Sequence, residues 1–132
     1  MIYSNEKPPV YDRCVERFGV DWNNNVAFTY GKVLHCKEYP TPDLIVHEEV
    51  HTIQQTKIGI EEWWNKYLAD NEFRLSQELE AYRKQYQFLK RVILDRNKLN
   101  KYNVWIAKTL SGSMYGNIIT YSEAFKLIRN EE

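Results

Sequence analysis

The clearest pattern along the chain is a stripe of apolar residues at helical spacing: Leu75, Leu79, Tyr82, Tyr86, Leu89 and Ile93. Gln77, Glu80, Lys84, Gln87 and Arg91 fall largely on the other side. The stripe predicts a long helix from about Glu72 to Leu94, capped by Asp70-Asn71. Upstream, Thr41-Pro42-Asp43 offers an N-cap, a proline for the first turn and an early carboxylate, so a helix is expected from there to about Lys57, stopped near Gly59. A short helix follows over Ile60 to Leu68, with Trp63, Trp64, Tyr67 and Leu68 as its packing face. Downstream, Asn97 to Leu110 reads as a helix with Trp105 and Ile106 on its apolar side. Ser111-Gly112-Ser113 and Gly116-Asn117 then break the chain, and Thr120-Tyr121-Ser122-Glu123 has the form of a capping box opening a last helix.

Before Glu38 the pattern changes. Pro8-Pro9, Gly19, Asn23-Asn24-Asn25 and Tyr30-Gly31 punctuate a stretch poor in helix signals. Val26-Ala27-Phe28-Thr29 and Lys32-Val33-Leu34-His35-Cys36 are β-prone and read as a hairpin or two successive edge-type strands. The expected fold class is α+β: mainly helical, with a short N-terminal β-sheet or hairpin. No internal repeat or low-complexity segment interrupts it.

Length and charge narrow the picture. The 132 residues are expected to form a single domain, 1–132, long enough for a core without disulfide help. Eighteen basic and eighteen acidic side chains cancel, which removes any global electrostatic reason to expect nucleic acid or an anionic membrane as partner. The basic run from Arg83 to Lys101 alternates with apolar positions and reads as the solvated side of helices. Cys14 and Cys36 have no CxxC spacing and read as structural thiols. There is no apolar run of signal-peptide length and none near the ~18 residues of a membrane span. A reducing cytoplasm is the expected location.

His47-Glu48-Glu49-Val50-His51 is an HExxH sequence placed on the first predicted long helix. Histidines four apart project from one helical face, one turn apart, so both imidazoles can reach one ion. Glu48 falls on the near flank of that face, where it can touch a metal-bound water; Glu49 points elsewhere and reads as a solvated charge. The third ligand is expected to be Glu78, because it lies within the apolar stripe and a core-facing carboxylate is costly without a partner. Pairing with an arginine such as Arg74 is the alternative for Glu78, and Glu80 turns to the opposite side. Two histidines and one glutamate leave zinc an open position for water, as in catalytic sites. Such an ion lowers the water's pKa, and Glu48 is placed to act as general base and then to protonate the departing amine. Gln54, Asn71 and backbone carbonyls are candidate acceptors for the other ring nitrogens of the histidines.

These residues resemble the gluzincin metallopeptidases, in particular the minimal forms encoded by bacteria and their phages. The likeness runs from Phe28-Thr29-Tyr30-Gly31, through Asp43 to Gln55 with two glutamines after HExxH, to Phe73-Arg74-Leu75-Ser76-Gln77-Glu78-Leu79-Glu80-Ala81-Tyr82. The resemblance implies a zincin-like domain whose active-site helix carries HExxH, with Glu78 as the glutamate ligand. It also implies a peptide or protein substrate added as a further strand along Val26 to Cys36. The chain departs from thermolysin-like relatives in two places. Tyr82 stands where they have an aspartate that orients a metal histidine, and no histidine remains downstream to stabilise the oxyanion. Tyr115 is the candidate substitute, with packing as its competing role, and His35 reads as an edge-strand residue beside Cys36.

The sequence therefore leads to a zinc-dependent metallopeptidase, with His47, His51 and Glu78 on the metal and Glu48 as base. The rival is a catalytically inert, metal-stabilised binding protein on the same scaffold, such as a phage factor engaging a host protein.

Overall fold

In the computed structural model, which describes residues 1–130, the elements in chain order are β1 (Ile2–Ser4), α1 (Tyr11–Phe18), β2 (Phe28–Tyr30), β3 (Val33–His35), α2 (Pro42–Ile58), α3 (Ile60–Ala69), α4 (Asn71–Val92), α5 (Arg96–Leu110) and α6 (Tyr121–Arg129). The protein is thus mostly helical with one small sheet, compatible with α+β. It divides into two compact units, Met1–Asp70 and the residues from Asn71 on.

In the first unit, β2 and β3 form the expected hairpin. Tyr30 pairs with Val33 across a two-residue turn in which Gly31 takes φ +64°, a backbone conformation glycine reaches without steric cost. β1 then joins β3 in parallel, Ile2 opposite Val33, and the strand order becomes β1-β3-β2. This corrects the reading of the second β-prone segment, and of His35 on it, as edge-type: β3 lies in the middle of the sheet. A helix, α1, also forms where none is expected. Gly19 closes it in the left-handed conformation with its N–H bonded to Val15 O, Asp12 and Arg17 complement its two ends, and its Cys14 is buried.

α2 starts and ends where the sequence places it. Thr41 is extended at the N-cap position but makes no side-chain capping bond, so Pro42 and Asp43 carry the start signal. On α3, Trp63, Trp64 and Tyr67 are buried, with Trp63 stacked on Tyr67 at 4.8 Å between ring centroids. Both cysteines are free and buried, and burial pushes the Cys14 thiol up to about 11.

The second unit packs α4, α5 and α6 around Leu75, Tyr86, Ile106, Ala107, Leu110, Tyr115, Ala124 and Ile128. Asp95 caps α5 by accepting the N–H groups of Asn97 and Lys98. The capping box at Thr120 and Glu123 is formed in both directions. Of the two residues expected on the apolar side of α5, Ile106 is fully buried but Trp105 is 55 % exposed. Neighbours in a helix point about 100° apart, and the buried face is set by Asn103, Ile106, Ala107 and Leu110. Trp105 instead meets Tyr82 edge-on at the surface. Gly116 closes a short 3-10 turn with φ +77°, and a Cβ there would lie 2.6 Å from the Asn71 amide nitrogen. Arg74, wholly buried, donates from Nη1 to Asn71 Oδ1 and to Met114 O, each at 2.6 Å.

Candidate metal centre

Ordinary amphipathic helices bury apolar side chains; α2 does the reverse. Its buried residues are His47, Glu48, His51, Gln54 and Gln55, while Ile53 is 59 % exposed. Such burial is costly unless every polar group finds a partner, so the partners define what this face is for.

His47 and His51 stand one helical turn apart with their Nε2 atoms 3.2 Å from each other. Two nitrogens each about 2.0–2.1 Å from one tetrahedral ion lie about 3.3 Å apart, so this pair has the spacing of two ligands on a single zinc. His51 Nδ1 is 2.8 Å from Gln54 Oε1. A carbonyl oxygen can only accept, so this contact places the proton on Nδ1, and Nε2 is the ring nitrogen that could serve as a metal ligand. Of the acceptors suggested by the sequence, Gln54 is therefore the one that serves His51. The Trp63 ring lies 5.2 Å from the His51 ring and packs beside it.

Glu48 is 5 % exposed. Its Oε2 is 3.5 Å from His47 Nε2, and its Oε1 accepts a 3.0 Å hydrogen bond from the Thr29 hydroxyl. One carboxylate oxygen is thus anchored and the other is directed at the histidine pair. His47, His51 and Glu78 form a buried group of possible ligands whose donor atoms all lie within 4.8 Å of one another, and this group could hold a metal ion. Glu49, read as a solvated charge, and Glu80, expected on the opposite side of its helix from Glu78, are both exposed.

The sequence pattern alone does not single out the strand residues around the motif. Thr29, 2 % exposed, is held from several directions: its carbonyl accepts from Gln55 Nε2 at 2.8 Å and from Trp64 Nε1 at 3.1 Å. Two residues on, Gln55 Oε1 accepts the Gly31 N–H at 2.7 Å and the Thr52 hydroxyl donates to Gly31 O at 2.8 Å. The available signal is the placement of Thr52 and Gln55 one and two turns after Glu48, beside His51, which extends a polar stripe along a helix face that has to be buried.

These contacts also bear on the sheet edge. Within the segment Val26 to Cys36, β3 is flanked on both sides. On β2 and the turn after it, the Thr29 carbonyl and both Gly31 backbone groups are already bonded by helix side chains. His35 Nδ1 is 2.9 Å from the Glu6 carbonyl, away from the motif's hydrogen bonds. Tyr115 is 2 % exposed and belongs to the core cluster of the second unit, in keeping with a packing role. No helix among the described residues is long and apolar enough to cross a membrane.

No protein-family model matches the chain, and comparisons with curated proteins and with solved structures find no match.

Proposed function

We propose that this chain is a zinc-dependent metallopeptidase of the gluzincin type, with His47, His51 and Glu78 as ligands and Glu48 as general base. The observation that carries the reading is the arrangement on α2: two Nε2 atoms 3.2 Å apart, with a carboxylate oxygen 3.5 Å from one of them. A purely structural metal has no use for that carboxylate.

A zinc ion held there supplies Lewis acidity toward the scissile carbonyl and a water acidic enough to react near neutral pH. Glu48 takes the proton of the attacking water on Oε2 and delivers it to the nitrogen of the departing amine. Gln54 would fix the His51 ring through Nδ1, and the Trp63 ring packs beside it. An extended peptide or protein substrate would add as a further strand on the β2 side of the segment Val26 to Cys36.

A second reading, an inert metal-stabilised binding protein, has one observation on its side: His47, Glu48, His51 and Glu78 are each 8 % exposed or less. Metal analysis and cleavage of a peptide library separate the two. Near-stoichiometric zinc in the wild type, lost in Glu78→Ala, with cleavage reduced about 10²–10⁴-fold in Glu48→Gln, supports the peptidase. Zinc without cleavage moves the assignment to the binding protein, and a metal-free wild type overturns both.

A further inference from the structure

We infer that Thr29 is a positioning residue for the general base: its hydroxyl holds one oxygen of Glu48 so that the other faces the reacting water. The inference rests on the peptidase reading above. The Thr29 hydroxyl has one proton and two acceptors in reach, Glu48 Oε1 at 3.0 Å and the Glu48 carbonyl at 3.2 Å. The carboxylate is charged and nearer, and the carbonyl lies inside a helix, so the carboxylate is the stronger acceptor.

The placement of that hydroxyl is unusually well fixed. Thr29 sits opposite Leu34 in the β2–β3 ladder, and its carbonyl receives donors from α2 and from α3. A group mounted on a strand secured to two helices orients its partner better than one on a loop. Without the hydroxyl, Glu48 Oε1 loses this anchor, and the fraction of time Oε2 faces His47 falls. A threonine that only satisfies a buried position would affect stability and leave turnover per folded, zinc-loaded molecule unchanged.

The test uses the full-length, zinc-loaded protein with Thr29→Val, Thr29→Ala and Thr29→Ser. Turnover is normalised to bound zinc, and binding of acetohydroxamic acid, which must give its proton to a base beside the metal, is measured alongside. The expected result for the two hydroxyl-free variants is a fall in kcat of about 10–100-fold with KM and zinc affinity within about two-fold, and hydroxamate binding weakened. Thr29→Ser recovers both. Unchanged kcat and hydroxamate affinity in a folded hydroxyl-free variant, or no recovery in Thr29→Ser, overturns the inference. If the wild type holds zinc but cleaves nothing, the peptidase reading has failed, and the hydroxamate series still decides whether Thr29 positions Glu48.

Discussion

α2 and α5 are helices of similar length that bury opposite chemistries. α5 turns Ile106, Ala107 and Leu110 inward, each fully buried, with Asn103 beside them, so its packing follows mainly from apolar area. α2 turns two histidines, a glutamate and two glutamines inward and leaves Ile53 in solvent. The first arrangement is what burial favours; the second costs stability unless each group is bonded or bound. Much of that cost is offset by named partners: Thr29 for Glu48, Gln54 for His51, Thr29 and Gly31 for Gln55. To these the histidine pair adds a spacing of ring nitrogens suited to a shared cation.

The largest expected effect that sharpens this contrast is metal removal. With free zinc about 1,000-fold above its dissociation constant, chelation should lower unfolding stability by about 4 kcal/mol, seen as a shift in the denaturant midpoint. Next is Ile106→Ala, which should cost about 2–5 kcal/mol through the cavity it leaves while zinc stoichiometry in the folded protein stays the same. Smaller still is Gln54→Ala, expected to weaken zinc binding about 10–100-fold in a competition titration with little change in the metal-free protein. Should Ile106→Ala abolish metal binding, or chelation leave the midpoint unmoved, the distinction between the two helices would be lost.

The helices are legible in the sequence because their boundaries are written locally. Pro42, Gly59 and the Thr120 capping box each act within a few residues. His47, Glu48 and His51 are legible for the same reason, since one helical period fixes their relative directions. β1 is not, because a three-residue strand pairing in parallel with residues about thirty positions away leaves no local trace. Thr29 is hidden on similar grounds: it reaches Glu48 across nineteen positions, and only the tertiary arrangement makes it part of the site. Trp105 shows the limit of pattern reading at single-residue resolution, where a shift of one position carries a side chain from core to surface.

The two donors on the Thr29 carbonyl have a consequence for assembly. β2 has three residues, too few to persist alone, and its position is specified by side chains of α2 and α3 that converge only after both helices have formed. Docking of the strand is therefore expected to follow the packing of these helices, and its release breaks the contact to Gln55 in the last turn of α2. The Gly31 amide, bonded to a glutamine side chain instead of a neighbouring strand, then exchanges its hydrogen with solvent in step with that helix, as one cooperative opening.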